Sequence, residues 1–201
     1  MHIAHQQPPP SRALTQQQRL AWLNELLGAE HDSLAYRVAG IFLLLYAQPL
    51  TKIAALSTAA VTSTDGETRI SLGQEPIPVP QPFADMLDTH IRNRPNLRTT
   101  GGVAATPWLF PSSRPGRHLD PQSIMNRLRG LGIDLLGARN TALQNLVVEV
   151  PPPLVAELLG YSYNVTQRHA EIAAQPSARY VTSPRQPAQA PHAMPDVDRA
   201  P

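Results

Sequence analysis

Residues 131–169 have the sequence LGIDLLGARNTALQNLVVEVPPPLVAELLGYSYNVTQRH, and this stretch decides the predicted fold. The apolar pattern predicts a helix over 139–148. Three prolines at 151–153 then break the chain, and a second helix is predicted from Pro152 to Leu159. A glycine follows the last residue of that helix, which is the usual position of a helix stop.

A last helix is predicted to be capped by Asn164 and to run through Ala174. Together with the helix before it, this segment also matches a helix-turn-helix, since small Ala156 stands where two such helices cross. Thr166 and His169 depart from that motif, because they occupy positions that should be apolar. A helix-turn-helix regulator therefore stays open as an alternative.

Two helices are predicted near the start of the chain. Thr15 and Gln18 form a capping-box pattern for the first. Its expected buried face is made of leucines: Leu20, Leu23, Leu26 and Leu27. The second helix begins after a cap at Asp32 or Ser33 and runs through Tyr46, and its stretch from Ile41 to Tyr46 is apolar on every side. We therefore expect the second helix to lie in the core.

A small antiparallel sheet is predicted in the middle of the chain. Pro49 ends the second helix, and a short helix over 52–56 with Thr51 as its cap follows. The stretch 61–72 is rich in threonine and isoleucine and contains Asp65-Gly66, a strong hairpin signal. A third strand is expected at the edge, over 77–79, because its flanking prolines cannot donate to a ladder.

Two more helices follow the sheet. One is predicted over 83–92, and the other begins with Asp120 as cap and Pro121 as first helical residue. Ile124 and Leu128 line the inner side of the latter helix. The predicted fold class is therefore mainly α with a small antiparallel three-stranded sheet, an α+β arrangement. We expect residues 1–14 to be a disordered arm, 15–182 to form the domain, and 183–201 to be a disordered proline-rich tail.

Composition limits the classes of function. The chain has 201 residues, a formal net charge of +2 and no cysteine, which excludes disulfides and thiolate–zinc sites. The histidines lack ligand spacing, so we predict no metal and no cofactor. No apolar run is long enough for a membrane span and the first residues lack the order of a secretion signal, so we expect a cytoplasmic protein. Lys52 is the only lysine, and this preference for arginine suits phosphate contacts.

The segment from about 37 to about 170 resembles the catalytic domain of the tyrosine recombinases, the phage integrases. Leu136-Gly-Ala-Arg139-Asn-Thr stands where that family has His-x-x-Arg-His-Thr. Leu159-Gly-Tyr161-Ser stands where it has Leu-Gly-His-Ser, and His169 stands where it has the nucleophilic tyrosine. The resemblance implies an integrase-catalytic-domain-like fold and a role in DNA recombination or integration.

The same resemblance implies that most of the catalytic side chains have been replaced. Pro49 occupies the position of the first catalytic arginine, and Lys52 that of a glutamate. The loop 73–75, where the family carries a catalytic lysine, contains none. The replaced positions are Pro49, Leu136, Tyr161 and His169, with Arg139 the one residue of the expected type. We therefore expect a degenerate, catalytically inactive, recombinase-like DNA-binding protein, possible partners being other recombinase-like subunits.

Arginines are the expected contacts to DNA. Arg127 and Arg129 lie on the predicted solvent side of the helix that starts at Pro121. With Arg139 and Arg168 they form the predicted set of phosphate-binding residues. Two alternatives stay open besides the helix-turn-helix regulator: an active recombinase with Tyr180 or His169 as nucleophile, and a helical protein-interaction module that binds no nucleic acid.

Overall fold

The computed structural model describes residues 15–28, 32–94, 106–114 and 116–181, with only the backbone for the last seven of these. The predicted arm and tail lie outside the described residues. Eight helices occur within the described ranges: α1 Gln16–Gly28, α2 Leu34–Tyr46, α3 Leu50–Ala54, α4 Phe83–Asn93, α5 Pro121–Gly130, α6 Leu135–Glu149, α7 Pro152–Leu159 and α8 Tyr163–Val181. The strands are β1 Val61–Thr64, β2 Glu67–Ile70 and β3 Ile77–Pro78, preceded by a 3₁₀ turn at Thr58–Ala60. This confirms the predicted fold class.

Helix α2 is the centre of the core, as its uniformly apolar sequence predicts. It contacts α1, α3, α4, α5 and α6. Phe42 is fully buried and meets the rings of Phe83 and Phe110 edge-on, with centroids 5.2 and 6.4 Å apart. Such edge-to-face pairs are favourable beyond the apolar area that they bury. The later helices are therefore packed around one rigid element.

The hairpin predicted from Asp65-Gly66 is confirmed. Both turn residues have positive φ, 54° and 81°, and β1 pairs antiparallel with β2. The short edge strand β3 pairs with β2 on its other side, with Ile77 opposite Ile70. Beyond β2 the chain turns against α7, where the Gln74 amide donates to the Glu157 carbonyl at 2.9 Å.

Three predicted helix ends are confirmed by their hydrogen bonds. Thr15 and Gln18 form the reciprocal capping box, with backbone-to-side-chain distances of 2.9 and 3.2 Å. Asp120 caps α5 by accepting from the Gln122 amide at 2.9 Å. Gly160 ends α7 with a φ of 66°, a conformation that costs glycine little.

Other predicted boundaries were wrong. Helix α6 begins at Leu135, four residues before the predicted Arg139, because Asp134 caps it by accepting from the Gly137 amide at 3.2 Å. Helix α3 begins at Leu50, with Pro49 rather than Thr51 at the cap position.

Helix α8 begins at Tyr163, so Asn164 lies inside its first turn and is not the cap; the Ser162 carbonyl accepts from the Val165 and Thr166 amides instead. The same helix extends past the predicted end at Ala174 to Val181.

One predicted core residue is exposed. Leu23 and Leu26 of α1 are buried, but 48% of Leu20 is accessible. Helix α1 packs against α2 and α6. The face that it buries there is narrower than the one predicted from the four leucines. Among the described helices, none is both long enough and apolar enough to cross a bilayer.

Candidate functional site

Arg139 is held near the start of α6 by an aromatic residue from the turn between α7 and α8. Its Nε donates to the Tyr161 hydroxyl at 3.3 Å, and the same hydroxyl donates to the carbonyl of Ala47 just after α2. The Arg139 guanidinium carbon also lies 5.7 Å from the centre of the Tyr161 ring. Burial raises the pKa of Tyr161, and the hydrogen bond and charge of Arg139 oppose part of that rise. Tyr161 is therefore a neutral hydroxyl that orients Arg139.

Lys52 lies on the same tyrosine ring. Its Nζ donates to the Gly160 carbonyl at 2.6 Å and lies 5.7 Å from the ring centre of Tyr161. The ammonium group is attracted both by the face of the aromatic ring and by the negative end of the helix dipole at the C-terminus of α7. Lys52 thus holds the turn after α7 to α3.

A first concavity, here called the α5–α6 cleft, has a volume of about 380 Å³. Its floor and walls are mostly apolar, and two guanidinium groups, those of Arg129 and Arg139, lie among them. Pro49 and Leu136 line it too, and 57% of Leu136 is accessible. The other lining residues are Leu43, Leu50, Thr51, Pro121, Gln122, Met125 and Leu135.

A second concavity, the α6–α8 cleft, has a volume of about 330 Å³. It is lined by Arg139, Asn140, Val165, Arg168, His169 and Ile172. The Nδ1 atom of His169 is buried and has no hydrogen-bond partner among the described residues. Burial lowers the pKa of His169, and the charges of Arg139 and Arg168 lower it further. The imidazole is therefore neutral near pH 7, beside two permanent cations.

The structure brings the positions named from the resemblance together around Arg139. Pro49 and Leu136 share the α5–α6 cleft with it, Tyr161 is bonded to it, and His169 shares the α6–α8 cleft. The two clefts are neighbours, with Arg139 lining both. The side chain of the other predicted nucleophile, Tyr180, lies outside the described residues.

Arg127 and Arg129 are both exposed on α5, as predicted, but they have different surroundings. Arg127 donates through Nε and one terminal nitrogen to Asp32, at 2.9 and 2.5 Å. The Asp32 side chain is only 1% exposed. The ion pair therefore links α5 to the segment before α2 through a buried carboxylate. Arg129 faces the α5–α6 cleft instead.

The arginines of the two clefts have no carboxylate partner within the described ranges. The ion pairs found there join Arg69 to Glu67, Arg92 to Asp88 and Arg127 to Asp32. Arg129, Arg139 and Arg168 belong to none of these pairs. Three arginines without a carboxylate partner in these ion pairs therefore line two neighbouring clefts, which concentrates positive charge there.

Several site residues escaped prediction from sequence. Asn140 and Met125 carry no local signal that would place them in a cleft. The pairing of Arg127 with Asp32 joins positions 95 residues apart in the chain, which no local pattern indicates. Thr166 did carry a signal in the sequence, because it is a polar residue at a position of α8 where an apolar one is expected. In the structure it is fully buried, and its hydroxyl donates to the Tyr163 carbonyl at 3.1 Å.

Solved structures with the same architecture are recombinases and integrases. XerA recombinase superposes with a TM-score of 0.59 at 16% identity, over 89% of this chain and 68% of that one. The Tn1549 transposon integrase, in complex with a circular intermediate DNA, gives 0.58 at 13% identity over the same shares. The chain has an integrase-like fold. A third structural neighbour is the XerH site-specific recombinase, bound to palindromic difH substrate in a post-cleavage complex. It superposes with a TM-score of 0.59 at 16% identity, over 85% of this chain and 52% of that one.

The integrase-like fold is established by structure rather than by sequence. No protein-family model matches the chain, and no curated protein matches it. Identities of 13–16% show a shared fold and carry no catalytic residue across by themselves. What this chain does must be argued from its own clefts.

Proposed function

We propose that this chain is a DNA-binding protein with an integrase-like fold that holds phosphate groups and does not cleave them. The observation that carries the proposal is a group of three arginines, Arg129, Arg139 and Arg168, which line two neighbouring clefts and have no carboxylate partner among the described residues. Guanidinium groups offer paired donors to phosphate oxygens and release counterions on binding.

Two of the structural neighbours support DNA as the ligand, since the Tn1549 integrase and XerH were both solved on DNA. The overall charge of +2 is small, so the affinity must come from local clustering rather than from net charge. Arg127 belongs to the predicted set as well. Because its guanidinium already donates twice to Asp32, we propose it as the weakest contributor of the four.

The loss of cleavage follows from the side chains around Arg139. Removing one preorganised donor to a developing oxyanion usually costs about 10²–10³-fold in rate. Pro49 and Leu136 offer no donor at all, and the Tyr161 hydroxyl is engaged by Ala47 and Arg139. Several such losses in one site leave little rate acceleration. A role beside other recombinase-like subunits belongs to the same proposal.

Binding is tested by electrophoretic mobility shift with a duplex of about 30 base pairs at several salt concentrations between 50 and 200 mM. The wild-type protein should retard the duplex, with affinity falling steeply as salt rises. The triple variant R129A/R139A/R168A should reduce the slope of log K against log salt by about 2.7, since each phosphate contact contributes about 0.9. The control R69A/R92A removes two arginines that already pair with carboxylates and should keep the wild-type slope.

The same assay separates DNA binding from a protein-interaction module. A wild-type protein that leaves the duplex unshifted at 50 mM salt contradicts the proposal and favours the interaction module. A shift that the triple variant retains with unchanged slope removes these arginines from the interface.

The alternative of an active recombinase is favoured by one observation, the position of His169 beside Arg139 in the α6–α8 cleft. Attack on a phosphodiester by a ring nitrogen of His169 would form a phosphohistidine as the bond to the 5′ oxygen breaks, and that oxygen would leave as a hydroxyl by taking a proton from solvent. A nicked duplex traps such an adduct, which appears on a denaturing gel as a protein band of increased mass. We expect no adduct for the wild type; an adduct that disappears in H169Q would establish cleavage.

A further inference from the structure

The loop that precedes α5 is held in shape by its own hydrogen bonds. The Ser112 amide donates to the Arg117 carbonyl at 2.9 Å, and the Trp108 indole donates to the Gly116 carbonyl at 3.0 Å. The His118 ring meets the Trp108 ring edge-on, with centroids 5.2 Å apart. These contacts hold the described residues on both sides of position 115 close to one another.

The loop encloses a third concavity of about 500 Å³, here called the loop cleft. Ser112, Arg114, Arg117 and His118 line it, with Asp120 and Pro121 at the start of α5. Arg114 and Arg117 are exposed and belong to none of the ion pairs within the described ranges. The carboxylate of Asp120 accepts from the Gln122 amide as helix cap. Two arginines, a histidine, a serine and the one carboxylate of Asp120 thus line this concave surface, so the arginines outnumber the carboxylate two to one.

The loop cleft adjoins the α5–α6 cleft, because Pro121 lines both. Arg129 follows Pro121 by eight residues on α5, which corresponds to about 12 Å along a helix that rises 1.5 Å per residue. Arg114 and Arg117 lie in the loop before α5 and Arg129 lies in its last turn, so the two groups of arginines stand towards opposite ends of this helix.

We infer that the loop cleft is a second phosphate-binding site for duplex DNA, with Arg114 and Arg117 as the charged contacts and Ser112 and His118 as further polar groups. This inference rests on the proposed DNA binding and extends it to a separate surface. The contacts are to the sugar–phosphate backbone, so they position the duplex without reading its sequence.

The test compares two double variants in the salt-dependent mobility shift. R114A/R117A should reduce the slope of log K against log salt by about 1.8, which lessens the loss of affinity between 50 and 200 mM salt by about tenfold. R114K/R117K, which retains the charge, should keep most of the slope. The control R69A/R92A has the same change in net charge and should bind as the wild type does. Thermal unfolding of each variant checks that the fold is retained.

The outcomes distinguish the loop-cleft site from the proposed DNA binding by Arg129, Arg139 and Arg168. Wild-type binding with an unchanged slope for R114A/R117A overturns the loop site, while R139A/R168A can still lower the slope and sustain the proposed function. Loss of slope in R114A/R117A but not in R114K/R117K supports the site. A wild-type protein that does not bind the duplex overturns both.

Discussion

Gly73 lies where the loop between β2 and β3 approaches the end of α7, and we predict that Gly73→Ala destabilises the protein. A β-carbon at this position would stand 1.9 Å from the Glu157 carbonyl oxygen and 2.7 Å from the Gly160 nitrogen. Both are backbone atoms, which cannot rotate away as a side chain would. The loop must therefore retreat from α7 by about 1 Å or more to restore ordinary contact distances.

The expected magnitude follows from three contributions. Forcing a methyl group into a well-packed contact costs about 1–3 kcal/mol. The retreat also breaks the bond from the Gln74 amide to the Glu157 carbonyl, now 2.9 Å, whose loss costs about 1 kcal/mol. Alanine offsets about 0.4–1 kcal/mol of this by restricting the unfolded chain. We expect the free energy of unfolding to fall by about 2 kcal/mol, or about 4–8 °C in melting temperature for a chain of this size.

Urea unfolding, monitored by tryptophan fluorescence and circular dichroism, measures this change. An unchanged m value shows that the surface exposed on unfolding is the same in the variant and the wild type. The matched control is Gly130→Ala at the end of α5, where an added β-carbon meets no atom within 4 Å. That variant should be as stable as the wild type or slightly more so. Equal unfolding free energies for the two variants would refute the close approach of the loop to α7.

Two further predictions concern the site. Tyr161→Phe removes the hydroxyl that donates to the Ala47 carbonyl and accepts from Arg139, so it should lower the free energy of unfolding by about 1–2 kcal/mol in a urea titration, and an unchanged value would show that the bond contributes nothing. Since burial and the charges of Arg139 and Arg168 lower the pKa of His169, the unfolded chain binds more protons below about pH 6.5 and stability falls as the pH drops through that value. His169→Gln should therefore lose less stability than the wild type between pH 7.5 and pH 5, and equal losses would contradict the assignment.

Local signals in the sequence were sufficient for most elements of the fold. The capping box at Thr15 and the turn at Asp65-Gly66 satisfy backbone groups within a few residues, so their outcome hardly depends on the rest of the chain. The apolar run 41–46 of α2 could be stable only in the interior. Boundaries were missed where the capping residue was not recognised, as at α6, whose start is set by Asp134 rather than near Arg139.

For the candidate site, the sequence was less sufficient than for the fold. The family resemblance implied that Arg139, Tyr161 and His169 belong to one site, and in the structure Arg139 donates to Tyr161 and lines a cleft with His169. Which arginines face a cleft could not be predicted, because Arg127 and Arg129 are both exposed residues of α5 and differ only in what packs beside them.

The sequence alone therefore determined the order of the elements and the central helix, since capping and periodicity act over short distances. Only the tertiary structure decided that Asp32 pairs with Arg127 and that Arg129, Arg139 and Arg168 line neighbouring clefts. The physical reason is that charge clustering depends on how α5, α6 and α8 are oriented around the core, and that orientation results from the packing of many distant residues at once.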